Sequence, residues 1–568
     1  MTLSYRSLLL ALILCSYLTL GICSQTAPSL QPQTNTTNHI LFLMHTGNTA
    51  QAFQAYQDFI KVSGRHDFEL IESMGLILLD QGQRARDPET QLLTLFGAGI
   101  SNNEKNLYIL ESGLTSGIAE LELIALNFLG RYHNSRTDHS LHRAMSSNFL
   151  LIRLEALFQI AKRRDPKAIG LSEALMAKVN TQLWPLFPQI FAAIGTPEAK
   201  KILRQLLSNS SEGVRIAAVE SVADGAHDDL LPVVRRLASH HEVRQQEACA
   251  AALGALKDET SVPRLEQLTK SPNSYVKLSA FNALYKLGRD EVKTQVETIA
   301  KEPNLYAIAL LGSMPGTEST LSQLAKNEDI QVRANAANAL LEHANNHSLL
   351  PIAELLLTDG RDLAIQTITS PGGALTAWKI IPSATQNLAD DHVAQEMSLH
   401  LREMALTKSV ELPEKDFLAL AHAIFERQQN DLVPALIEVL VNHPTPGVIE
   451  LLKKQQQKAG APLVRNYCNL ALYRLKQPGP FADNLRDWVT QQRNIDLIRF
   501  RPVVPWDMRE KLSFQLTPQE TSRLLVEAFE AFVAMQDDKG IDTLIATIQN
   551  GNSKNKYALI GLLMRAIQ

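Results

Sequence analysis

Cysteine is nearly missing from this 568-residue chain, which contains 4. Cys15 and Cys23 fall in an apolar amino-terminal stretch, leaving Cys249 and Cys468 to the rest of the chain. A disulfide needs Cα atoms within ~7 Å, and these two lie several repeat lengths apart. No stapled scaffold is implied, even in an oxidising compartment. An excess of one charge is missing too: 55 lysines and arginines stand against 59 acids, for a formal net charge of −4. A nucleic-acid binder draws affinity from a basic face, so this balance argues against one. After the first apolar stretch there is no second long one, which excludes a further membrane span. The chain also lacks Gly-x-x-x-x-Gly-Lys, Gly-x-Ser-x-Gly and His-Glu-x-x-His, the short motifs of phosphate binding, acyl transfer and zinc hydrolysis. No catalytic residue, cofactor or metal ligand is therefore assigned.

What is present is a period. An apolar anchor recurs about every thirty residues at Ile160, Ile194, Val222, Leu253, Leu284, Leu311, Leu340 and Ile368. Four residues earlier stand Ala156, Ile190, Ala218, Cys249, Ala280, Ala307, Ala336 and Ala364, nearly all small. Apolar residues at this spacing share one side of a helix, and a small residue in the stripe lets the next helix approach closely. Cys249 fills the small position, as Cys468 does later in the chain, so both read as packing residues. Between anchors come a turn and a second helix, as in Gly195-Thr196-Pro197-Glu198 leading into Lys201 to Leu207. A proline and an acid suit a first helical turn. Length exceeds what one compact core holds, but a solenoid escapes that limit by growing in one dimension.

The run Val332-Arg333-Ala334-Asn335-Ala336-Ala337-Asn338-Ala339-Leu340 resembles HEAT repeats, in particular the short bacterial type also seen in phycobilisome-lyase-like proteins. Val276 to Gly288 is similar, and the pattern returns in Val464 to Leu472. The resemblance implies an all-α fold, an α-α superhelix with divergent helical caps, commonly with a protein partner on its concave side. It implies no single activity. The repeat core is expected at 151–370, followed by a degenerate repeat region at 371–568. Residues 40–150 follow another grammar. Gly47 to Tyr56 resembles a tetratricopeptide helix, and the region reads as a divergent cap, since terminal repeats deviate where one face meets water.

The amino terminus has the anatomy of a secretory signal: Arg6, an apolar run over residues 8–20, and Gly21-Ile22-Cys23 before Ser24. The leader is expected at 1–23, followed by a Gln-, Thr-, Pro- and Asn-rich tether at 24–39. In a lipoprotein alternative the lipid sits on Cys23, although Ile22 occupies a place where lipoboxes favour a small residue. The expected location is a bacterial periplasm or envelope.

Two sets of residues are candidates for binding a protein partner. Aligning second helices by Leu206, Leu237, Leu268 and Ile299 stacks Arg204, Arg235, Glu266 and Glu297 into a ladder. Its basic end is extended by Lys201, Arg236 and Arg264. The alternative to a binding role is pairing between repeats, Arg235 with Glu266. The other set, Arg499, Arg501, Trp506 and Arg509, lies in an interruption of the repeats, where irregular segments often carry recognition. The one His-Glu pair, His241-Glu242, stands alone, whereas the di-iron HEAT enzyme deoxyhypusine hydroxylase needs several. Two functions follow: an exported scaffold that binds a protein, or an exported helical-repeat enzyme or enzyme subunit, lyase-like, acting on a small molecule.

Overall fold

The computed structural model describes residues 30–343, 349–357, 363–382, 402–458, 462–495, 497 and 520–565. The expected leader and Cys23, and the segment bearing Arg499, Arg501, Trp506 and Arg509, lie outside the described residues. The fold is an all-α superhelix of HEAT-like helix pairs with a single two-stranded hairpin among the described residues. No described helix is long and apolar enough to cross a membrane.

Seven of the eight anchors sit on helices: Leu150–Lys162, Pro188–Ile194, Glu212–Asp224, Val243–Ala255, Ser274–Lys286, Leu305–Leu311 and Ile330–His343. All seven anchors are buried, as are the small residues before them. These helices pack directly on one another in succession. A glycine one place after the anchor also permits close approach: a Cβ on Gly254 would lie 2.5 Å from Ala283 Cα, and one on Gly312 3.0 Å from Ala339 Cα. The second helices, Pro197–Leu206, Leu231–Leu237, Val262–Leu268 and Lys293–Ala300, pack on the anchor helices, and packing among themselves is much sparser than along the anchor row. In a curved stack the row with the tighter spacing is the inner one, so the anchor helices line the concave side.

The basic residue seven before the anchor has a structural task. The Arg215 guanidinium donates to the carbonyls of Asn209 and Ser210, both at 2.9 Å, and Arg333 donates to those of Asn327 and Glu328, both at 2.8 Å. Each arginine thus closes the turn that precedes its own helix, where orphan carbonyls need donors. Asn273 and Asn304 cap the amino ends of two further anchor helices.

Enlarging a stripe residue overpacks the inner row. Ala280→Leu or Ala336→Leu is expected to cost about 1–3 kcal/mol, while Lys301→Ala on an exposed site stays within about 0.5 kcal/mol. Urea melts of the three variants check the register.

Two sequence expectations need correction. The eighth anchor, Ile368, is not on a helix: with Ala364 it lies on strand β1 (Leu363–Thr369), which pairs antiparallel with β2 (Thr376–Pro382). β-branched residues dominate the end of β1, and Ser370-Pro371-Gly372-Gly373 supplies the turn. The tether expected at 24–39 overlaps a helix that runs from Leu30 to His45, pinned at its far end by buried Ile40, Leu43 and Met44, while residues 24–29 lie outside the described residues.

The amino-terminal helices do not end in water. Helix Lys556–Arg565, at the carboxyl end, packs across Phe68–Gln83 and Pro88–Ile100, so the stack closes on itself. Glycines permit this seam. A Cβ on Gly97 would stand 2.2 Å from Tyr557 O, and one on Gly561 2.2 Å from Gly97 O, so the two backbones touch. At its edge His66 Nε2 donates to the Asp538 carbonyl at 3.1 Å, and its Nδ1 accepts from the Tyr56 hydroxyl at 3.1 Å. The closure removes the need for polar capping repeats at either end.

Candidate functional site: a strand cradle on the inner row

The hairpin lies along the inner row, with β2 against Leu305–Leu311 and Ile330–His343 and its turn reaching Glu212–Asp224 and Val243–Ala255. On helix Ile330–His343, Gln331 and Asn335 are one turn apart, a rise of about 6 Å. Along a strand, alternate residues are about 6.6 Å apart. The two spacings match, and each amide grips one strand residue. Asn335 Nδ2 donates to Trp378 O and its Oδ1 accepts from Trp378 N, both at 2.8 Å. Gln331 Nε2 donates to Ile380 O at 2.6 Å and its Oε1 accepts from Ile380 N at 2.7 Å. A carboxamide offers the same donor and acceptor as a peptide group, so the helix imitates a neighbouring strand. Trp378 and Ile380 pack with Ala334 and Ile330 beneath them.

The turn is held by a buried carboxylate. Glu247, fully buried, accepts from the Ser370 hydroxyl, from Gly372 N at 2.9 Å and from Ala374 N at 3.3 Å. Arg244 Nε adds a bond to the Pro371 carbonyl at 2.8 Å. Gly372 is required by close approach, since a Cβ there would meet Arg244 O at 2.5 Å. Gly373, at φ +79, holds a conformation suited to glycine. The arrangement recognises polypeptide backbone through helix side chains; it brings no nucleophile and base together.

The sequence-predicted residues are distributed differently. Lys201, Arg204 and Arg236 are exposed on second helices, and their side chains make no ion pair or hydrogen bond among the described residues. They stand on the second-helix row, whereas the ladder was expected on the concave side: the small-residue stripe, and with it the tighter packing, belongs to the anchor helices. Arg264 donates to the Ala238 carbonyl at 3.0 and 2.7 Å, closing the end of helix Leu231–Leu237. Arg235 pairs with Asp258 and not with Glu266, through two bonds of 2.7 and 2.6 Å. Glu297 accepts from the Thr320 hydroxyl at 2.6 Å. Among the described residues no three His, Cys, Asp or Glu side chains are grouped to hold a metal ion, and His240 and His241 are exposed. Cys249 and Cys468 are buried free thiols, and burial pushes both up from the ordinary thiol range.

The Arg235–Asp258 pair makes stability depend on pH. Burial alone raises an acid's pKa, but hydrogen bonds from Arg235, Ser261 and Thr260 outweigh it and hold Asp258 at about 2, below its ordinary 3.8. A depressed carboxyl contributes stability above its unfolded pKa and loses it as pH falls towards the folded one. About 2 kcal/mol is expected to disappear between about pH 4 and pH 2. Arg235→Ala should remove most of that slope in urea melts taken across this window.

Neither a family description nor any curated protein matches this chain. Among solved structures it is similar to the complex of CpcE and CpcF of phycocyanin lyase from Nostoc sp. PCC7120, at 19% identity and TM-score 0.29, over 39% of this chain and 94% of that one. Yeast importin-β (Kap95p) aligns over 92% of this chain and 81% of its own, at 12% identity and TM-score 0.36. Kap121p bound to Nup53p aligns over 90% and 62%, at 10% identity and TM-score 0.38. Superposition at this level is too loose to transfer a site or an activity. The repeat pattern and the stacked helix pairs are what make this chain a solenoid of HEAT-like repeats.

Proposed function

We propose that the protein is an exported scaffold, residing in a bacterial periplasm or envelope, that binds a protein partner along the inner row of its helices. One observation carries this reading: side chains of that row, Gln331, Asn335 and Glu247, already hold an extended polypeptide by its backbone. The apolar run at residues 8–20 supports export. The exposed cations Lys201, Arg204 and Arg236 lie outside that contact and act on association at long range, where charge changes mainly its rate and salt dependence.

The test is chemical crosslinking of the tagged chain in its native envelope, with recovery of what it holds. A stoichiometric protein is expected. A consistently retained small molecule with no protein would instead favour the enzyme alternative. Intact mass of the recovered chain is expected to begin near Ser24; residues 1–21 retained would contradict cleavage, and a diacylglycerol-sized mass on Cys23 would establish a lipid anchor. Lys201→Glu with Arg204→Glu is expected to slow association at low salt and to leave the fold intact.

A further inference from the structure

The hairpin has two edges, and they are treated unequally. In an antiparallel pair, residues alternate between those whose backbone groups face the partner strand and those whose groups face away. Trp378 and Ile380 face away from β1, because their N–H and C=O groups are the ones taken by Asn335 and Gln331. Their register partners, Thr367 and Ile365, must then face away from β2. The same alternation places the backbone of Thr369, opposite Thr376, outward. No hydrogen bond among the described residues satisfies the outward backbone groups of Thr367 or Thr369, and both residues are exposed. Among the described residues β1 makes no helix packing comparable to that of β2.

Open edges are a liability that proteins usually blunt with charge, proline or a bulge. Residues 363–369 carry no charged residue and no proline, and the pairing with β2 runs from Leu363 to Thr369 without a bulge. The hairpin is also held from behind: Glu247 and Arg244 bind the turn, and two amides bind β2. A row of backbone donors and acceptors spaced by two residues is complementary to one kind of ligand, another extended backbone.

We propose that β1 is a docking edge for an extended, weakly charged segment of the partner protein, which adds to the hairpin as a third strand. This rests on the scaffold reading and specifies how the partner is held. Main-chain bonds supply the attachment, and residues of the added strand facing the helices supply selectivity. A second copy of this folded chain is not the occupant, since the hairpin lies against the concave row of a closed stack.

Thr367→Pro tests the proposal, because the N–H it deletes points outward and takes no part in the hairpin; proline is tolerated at such an edge position. Thr367→Val keeps the N–H and loses only the hydroxyl. The full chain carrying each is compared with wild type by hydrogen exchange, first with a synthetic peptide of residues 376–382, a strand already compatible with β1, at millimolar concentration. Exchange over 363–369 is expected to slow at least threefold for wild type and Thr367→Val and to stay unchanged for Thr367→Pro. The crosslinking recovery is then repeated, where Thr367→Pro should lower partner yield at least tenfold and Thr367→Val less than twofold. Equal protection of all three chains by the peptide, or no protection of wild type, would overturn strand addition. So would full partner yield with Thr367→Pro, which leaves the scaffold reading standing. Concentration-dependent doubling of mass, abolished by Thr367→Pro, would make a second copy the occupant and overturn the proposal. Peptide protection without any recovered protein would uphold the edge and sink the scaffold reading.

Discussion

Gly97→Val is expected to open the closed stack. The glycine sits where helix Pro88–Ile100 meets helix Lys556–Arg565, and a Cβ there would stand 2.2 Å from a backbone oxygen. A flexible side chain could turn aside; the Tyr557 carbonyl cannot, because it belongs to a helix. The helices must separate, uncovering Met564, Ile560 and Leu79, all buried. The expected cost is about 3 kcal/mol, at the upper end of overpacking. The seam has little polar reserve, since Lys554–Glu89, though 2.7 Å apart, is half exposed on both sides and worth ~0–1 kcal/mol. Gly170→Ala is the control: nothing lies within 4 Å of its added Cβ, so stability should hold or rise by up to ~1 kcal/mol. Urea melts give the magnitude. Hydrogen exchange gives the place, with faster exchange in Phe68–Gln83 and Lys556–Arg565 and little change in Val243–Ala255.

The second large effect is at Glu247. Replacing it with alanine leaves the Ser370 hydroxyl and the amides of Gly372 and Ala374 without their acceptor in a buried place. Each orphaned group costs about 1–3 kcal/mol, so hairpin docking should weaken by about 3 kcal/mol or more. The anchor helices keep their own packing, because Ser279 bonds to the Glu247 backbone carbonyl and not to its side chain. The expected result is rapid proteolysis at residues 370–374 and faster exchange over β2, with the main unfolding transition lowered much less. Glu247→Gln retains one acceptor oxygen and should fall between. Loss of the hairpin without loss of the stack also frees the inner row, which makes this variant useful for asking whether the hairpin presents the partner or competes with it.

These effects show where the sequence was readable. The stacking of Val243–Ala255 on Ser274–Lys286 was legible because each repeat packs on a neighbour about thirty residues away, and the same chemistry recurs at Cys249 and Ala280. Two further close approaches, at Gly254 and Gly312, were not legible, because they fall one place after the anchor, a position without a constant residue type along the chain. Closure was illegible, since Gly97 and Gly561 are separated by most of the chain and neither belongs to the repeat. The cradle was hidden for a related reason. Asn335 is visible within the clearest repeat, but its role depends on Trp378, and the spacing of Ala364 and Ile368 matches that of one more anchor helix. Alternation of β-branched residues in Ile365, Thr367 and Thr369 was the signal that could have found the strand. In the charged ladder it was the pairing that was illegible, because charge on a surface helix says little about the partner it selects: Arg235 bonds to Asp258 in the adjoining connector and not to Glu266.

The central claim is that a protein partner is held on the inner row of a closed stack. A photo-crosslinking residue placed at Thr367 on the hairpin edge, and separately at Arg204 on the outer row, tests it in the native envelope. The account predicts one stoichiometric protein adduct from position 367 and none from position 204. An adduct formed only from position 204, or from neither, would contradict it.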